Sequence, residues 1–185
     1  MLAFIKNWSL RPRGDRLGHL PRMARRPGPS MPRYFGLGFF LLAVLLVQQG
    51  SGWRWPLLTE WQGDNLYKQM TGFGLLAFIF YQWRFSILRA QGEPRKAAAL
   101  AGRHKLFGSL APLLFLGHSQ ALGYGYLQAL SLVFLLVFFT GLCNVEIAKI
   151  HKPWFQPVWI TAHVGLSMAL LFLAAYHVYL SYAFK

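Results

Sequence analysis

Apolar residues gather into five stretches, separated by segments rich in charge, glycine or proline. The stretches run from Tyr34 to Gln49, Met70 to Ala90, Pro94 to Gln120, Leu127 to Ala148 and Gln156 to Ala183. A bilayer core is spanned by about 20 residues of helix, so each reads as a membrane span; the first, with its apolar core from Phe35 to Val47, needs help from its flanks. The separators carry helix breakers: Gln91-Gly92-Glu93 before Pro94, the turn Ala121 to Tyr126 with Gly123 and Gly125, and the loop Lys149 to Trp154 with Pro153. Pro94 suits the first position of a helix. The segment from Gly50 to Gln69 holds Trp53, Trp55 and Trp61, which favour the membrane interface, and is expected as a surface loop. The expected fold is all-α: a polytopic transmembrane bundle of about five spans over residues 34–185.

Composition strengthens the membrane reading. The chain is 55% hydrophobic and 13% charged, where a soluble domain carries about 25% charged residues. A net charge of +14 would suggest nucleic acid in a soluble protein, but here the charges are distributed as a topology signal, and no nucleic-acid partner is expected. Residues 1–33 form a basic, proline-rich stretch expected as a disordered cytoplasmic arm able to meet anionic lipid, most of which a translation start at Met23 or Met31 would remove. Of the 19 lysines and arginines, 16 fall in this arm, around the linker between spans 2 and 3, and in the loop between spans 4 and 5. The other side holds three, Arg54, Lys68 and Lys185. The N-terminus is therefore expected in the cytoplasm and the C-terminus outside. The lone Cys143 offers no disulfide framework and no CxxC motif.

Histidine placement adds the candidate chemistry. His104 and His118 lie 14 residues apart in the third stretch, and His163 and His177 lie 14 apart in the fifth. On a helix, 14 residues advance about 21 Å and return to within about 40° of the starting direction. Spans 3 and 5 run the same way, so His104 can match His163 at the cytoplasmic level, and His118 can match His177 at the external level. Ionisable residues inside a bilayer are functional candidates by default. His19 and His151 read as solvated loop residues.

Two imidazoles per level limit the cofactor. A structural zinc takes about four ligands, twice what either level offers. A di-iron site needs several carboxylates, and of the five acidic residues only Glu146 lies near a span. A b-type haem asks the protein for two axial ligands, and this requirement is met twice. The metal ligands expected are His104 and His163, and His118 and His177. Gly108 and Gly117 let a flat macrocycle or a neighbouring helix come close. Arg103 and Lys105 flank His104, where they serve either haem propionates or membrane anchoring.

With Arg103-His104-Lys105-Leu106-Phe107-Gly108, Gly117-His118, His163 and His177, the stretch from about residue 70 to 183 resembles the ferric-reductase-like transmembrane family. That family includes the membrane halves of ferric reductases and NADPH oxidases and the haem subunit of a bacterial methionine sulfoxide reductase system. The resemblance implies two b haems held by paired histidines of the third and fifth spans, and a bacterial inner-membrane location. Cytochrome b-561 and respiratory cytochromes b stack haems in a related way. The chain departs from the family in showing five spans where six are usual. No FAD/NADPH domain is expected after residue 185, so reductase activity would need a separate electron donor.

The function expected is transmembrane electron transfer, as an integral membrane cytochrome b or the haem subunit of a redox complex, with membrane lipid and a redox protein or the quinone pool as partners. One alternative is a quinone-reactive anchor for a separate dehydrogenase or reductase. Another is a non-redox transporter or assembly factor whose histidines are structural.

Overall fold

The computed structural model describes residues 31–144, 147, 150 and 152–184, with side chains from residue 34 onward. The expected arm therefore lies outside the described residues but for its last three positions, and His19, Glu146, Lys149, His151 and Lys185 lie outside them as well. The described residues are all-helical, without strands. In chain order the helices are α1 (Met31–Ser51), α2 (Pro56–Gly63), α3 (Asn65–Ala90), α4 (Pro94–Ser109), α5 (Ala111–His118), α6 (Tyr126–Leu142) and α7 (Phe155–Ala183).

Local chemistry sets the boundaries. The expected loop from Gly50 to Gln69 instead contains α2 and the start of α3. Pro56 opens α2, and the extended Asp64 ends it and caps α3, its Oδ1 accepting from the Tyr67 N–H at 2.8 Å. Helix α3 closes in a Schellman motif. The Glu93 N–H donates to the Leu88 carbonyl at 3.0 Å and the Gly92 N–H to Arg89 at 3.2 Å. Gly92 occupies the left-handed position this needs, at φ 74°.

The single helix expected from Pro94 to Gln120 is broken. Pro112 supplies no N–H, and its ring crowds the carbonyl four residues back. The chain tightens instead, with the Leu110 N–H on Phe107 O at 3.0 Å and the Leu113 N–H on Leu110 O at 3.1 Å. Helix α6 likewise stops at Leu142, short of the expected Ala148. Cys143 leaves helical geometry (ψ 36°), and Asn144 turns its side-chain oxygen onto the Ile147 N–H at 3.3 Å, the competition with helix typical of Asn. Pro157 falls in the first turn of α7, where a missing N–H costs nothing.

The broken α4–α5 rod is central. Helices α1 and α3 pack on both of its halves, α6 touches both, and α6 lies along α7. Leu42, Leu45, Ile79, Phe115, Phe134 and Leu170 form the core where these helices meet. Neither α4 nor α5 packs closely along α7, which leaves a gap between the two histidine-bearing elements. Two helices are long and apolar enough to cross a membrane and support a membrane location: Tyr34–Ser51, mean hydropathy 1.5, and Phe155–Ala183, mean hydropathy 1.9. Tyr126–Leu142 is apolar but shorter. Much of this apolar surface faces outward, Phe40 being 62% exposed, Val47 70% and Phe172 71%.

Candidate functional site

The four histidines meet in two pairs across the gap. His104 of α4 and His163 of α7 have ring centres 6.4 Å apart, with planes at 86°. His118 at the end of α5 and His177 of α7 have ring centres 6.3 Å apart, with planes at 75°. All four are half-buried. The pairs follow the same order along both elements, so α4–α5 and α7 run in the same direction. The pairing is the one the matched spacing implies, and it survives the break at Leu110.

Each pair has one histidine fixed by a threonine from a flanking helix. Thr71 Oγ1 of α3 lies 3.1 Å from His118 Nδ1, and Thr140 Oγ1 of α6 lies 2.9 Å from His163 Nδ1. Each hydroxyl also donates to a carbonyl of its own helix, Thr71 to Tyr67 at 2.8 Å and Thr140 to Val137 at 2.9 Å. Glycine follows each threonine. A Cβ on Gly72 would stand 3.1 Å from His118 Cε1, and one on Gly141 would stand 3.3 Å from His163 Cε1. The imidazoles lie where a side chain would otherwise be. The other histidine of each pair has no such support, since Nδ1 of His104 and Nδ1 of His177 are buried without a hydrogen-bond partner.

Aromatic rings complete the walls. Phe85 stacks on His104, centre to centre 4.9 Å. Trp159 stacks on His163 at 5.8 Å, only 8° from parallel, and its Nε1 donates to the Thr140 carbonyl at 2.7 Å. At the other level Tyr126 lies 6.2 Å from His177. A cavity of about 420 Å³ opens beside the first pair, with His104, Lys105, Gly108, Gly141 and His163 in its wall. Gln82 also faces it and donates from Nε2 to the His104 carbonyl at 3.3 Å.

The remaining sequence candidates divide. Lys105 and Gly108 line the cavity, whereas Arg103 is exposed and outside its lining. Gly108 faces Gln82 Nε2, 3.4 Å from where a Cβ would be, while Gly117 faces open space. Thr71, Gly72, Thr140 and Gly141 escaped sequence reasoning. The signal for them was present: of four threonines in the chain, these two alone precede glycine.

A polar cluster closes the His118 end. Gln62 Nε2 donates to the carbonyls of Leu116 (2.8 Å) and Gly117 (3.1 Å), and the Tyr67 hydroxyl donates to Gly117 at 3.0 Å. Two of the last carbonyls of α5, left open by the helix end, are thereby satisfied. Buried Gln120 is the hub. Its carbonyl accepts from Gln48 at 3.2 Å, Gln49 at 2.8 Å and Arg54. Its side chain accepts from the Trp55 N–H at 2.8 Å and donates to Thr59 Oγ1 at 3.0 Å.

Among the described residues, no three of histidine, cysteine, aspartate and glutamate come together in a way that could hold a metal ion. What the arrangement offers is two imidazoles at each of two places. No protein-family model matches the chain, and neither does any curated protein or solved structure.

Proposed function

We propose that the chain carries electrons across a membrane through two b haems, one held by His104 and His163 and the other by His118 and His177, as an integral cytochrome b or the haem subunit of a redox complex. The observation that carries the reading is the pair of histidine contacts across one gap, 6.4 and 6.3 Å between ring centres. Two imidazoles bonded to opposite sides of one metal at about 2.0 Å have ring centres about 6 Å apart. The donor set fits the same group: two protein ligands per level suit a macrocycle that brings its own equatorial nitrogens. The places left by Gly72 and Gly141 fit it too, because they let the ligand helices keep their rings in place without crowding.

Bound haem would supply one-electron exchange at iron. The chain's own residues would supply the imidazole nitrogens, fix the rings by stacking and hydrogen bonding, and line the His104–His163 level with apolar side chains such as Phe85, Phe134 and Trp159, which tune potential. The five spans of this reading are α1, α3, α4–α5, α6 and α7. Helix α3, with 26 residues, would extend about 39 Å at 1.5 Å per residue, enough for a hydrocarbon core about 30 Å thick. The asymmetry of 16 cationic residues against three puts the His104–His163 level toward the cytoplasm. Electrons would come from, or pass to, a redox protein or a quinol on that side, and an external partner at the other. This reading follows the resemblance of residues 70–183 to the ferric-reductase-like family.

A reduced-minus-oxidised visible spectrum and a haem assay of the purified protein test the reading. The expected result is low-spin b haem at about two per chain, one for each bis-histidine level. Replacing both members of a level, His118 and His177, should remove one haem and be little worse than the worse single change, because the pair acts as a unit. Replacing His118 and His163 together should remove both. Protein without haem, or four single variants that keep full low-spin signal, would make the histidines structural and refute the proposal.

A further inference from the structure

The repeated Thr-Gly dipeptide is a matched pair of devices. Thr71-Gly72 on α3 serves His118, and Thr140-Gly141 on α6 serves His163. The dipeptides lie on different helices and serve histidines at different levels, but the local geometry is the same. A hydroxyl has one proton to give. In Thr71 that proton is committed to the Tyr67 carbonyl at 2.8 Å, with Lys68 O as a second acceptor at 3.3 Å. In Thr140 it is committed to the Val137 carbonyl at 2.9 Å. Toward the imidazole, each hydroxyl oxygen can then only accept. A contact of 3.1 or 2.9 Å with Nδ1 is a hydrogen bond only if Nδ1 carries the proton.

We infer that Thr71 and Thr140 are positioning residues that hold His118 and His163 in the Nδ1–H form, leaving Nε2 as the metal-binding nitrogen, while Gly72 and Gly141 make room for the rings. The inference rests on the haem reading for its functional consequence but not for the tautomer itself. A second consequence follows from the partners. Among the described residues, Nδ1 of His104 and Nδ1 of His177 have no hydrogen-bond partner, so each level joins one imidazole supported by a threonine to one without such a threonine. The supported ligand is the more basic, because a hydrogen bond from Nδ1–H pushes electron density toward Nε2. It therefore favours the ferric state. The support arrives at α5 for one level and at α7 for the other, so each level can be changed without touching the other.

The test uses the full-length protein with Thr71→Val, Thr140→Val and the corresponding serine variants. Valine keeps the shape of threonine and removes the hydroxyl; serine restores the hydroxyl. In the haem-loaded protein, Thr71→Val should raise one of the two midpoint potentials and Thr140→Val the other. The size expected is a tenfold change in the ferric-to-ferrous balance, 59 mV for one electron. The serine variants should return both potentials to the wild-type values. Movement of both potentials in either valine variant, no movement in any, or failure of serine to rescue would overturn the inference. Should the protein carry no haem, the haem reading fails, and nitrogen NMR of histidine-labelled haem-free protein decides the tautomer. Protons on Nδ1 of His118 and His163 that move to Nε2 or begin to exchange in the valine variants uphold it. Protons on Nε2 in the wild type overturn it.

Discussion

Gly72→Ala and Gly74→Ala form a controlled comparison on one helix. Both positions are inside α3, and in each the exchange of glycine for alanine favours the helix by about 0.5–1 kcal/mol. At Gly74 nothing lies within 4 Å of the new methyl, so the gain is the whole effect. At Gly72 the methyl arrives 3.1 Å from His118 Cε1 and 3.6 Å from Nδ1. The ring must retreat by about 0.3 Å to reach ordinary contact, and it is tied at 3.1 Å to the hydroxyl of the residue before. Retreat stretches that bond past the range of about 2.7–3.2 Å for a sound N–H···O bond. Overpacking of this kind costs about 1–3 kcal/mol. Gly72→Ala should therefore be less stable than Gly74→Ala by about 1–3 kcal/mol, which at about 2–4 °C per kcal/mol is roughly 2–12 °C in melting temperature. Tryptophan fluorescence during thermal unfolding in detergent would read it. On the haem reading, the low-spin signal of one haem should also fall in Gly72→Ala and remain full in Gly74→Ala. Equal melting temperatures and equal spectra would refute the packing of His118 against α3.

Two further outcomes follow from other parts of the molecule. Gln120→Ala removes the side-chain bonds to the Trp55 N–H, the Trp55 carbonyl and the Thr59 hydroxyl and should cost about 1–3 kcal/mol, since three bonds are lost in a partly wet site; thermal unfolding, with faster proteolysis within residues 50–64, would register it, and wild-type behaviour would show that the cluster does not hold α2 in place. A reporter fused after residue 185 should be active only outside the cytoplasm, because in the five-span reading 16 of the 19 basic residues fall on the side of the N-terminus; activity in the cytoplasm would overturn that topology.

Much of the all-helical architecture was legible because apolar runs and breakers are local signals. The C-terminal end of α3 and the start of α4 follow from Gly92 and Pro94. The break at Leu110 was also written in the chain, at Pro112, but apolarity alone hides it, since proline interrupts a helix without making it polar. The Asn144 stop was hidden for the opposite reason. Asparagine is tolerated in helices, and only its contact with Ile147 shows it acting as a cap. Arg103 and Lys105 could not be told apart by spacing. Each sits about 100° from His104 around the helix, on opposite sides, and which side faces the cavity depends on neighbours elsewhere in the chain. The threonines lie 47 and 23 residues from the histidines they support. Such pairs leave no periodic trace, and the repeated dipeptide was the only sequence sign of them.

Equal spacing carries more physical content than the coincidence of two fourteens. A 14-residue step leaves two side chains about 40° out of line on a straight helix. Were only one partner straight and evenly spaced, a pair that met at one level would be turned aside at the other. With the same step on both elements the drift is equal in size, and a left-handed crossing of the two elements then lets both pairs keep facing. The break at Leu110 would spoil this unless the turn there preserved the relative direction of His104 and His118. The ring separations, 6.4 and 6.3 Å, differ by very little, so the tight turn before Pro112 preserves the match. The same match would be lost by inserting one residue between Gly108 and Leu116. That insertion turns His118 by about 100° while leaving His104 in place, which separates the two levels by geometry and not by the removal of a histidine.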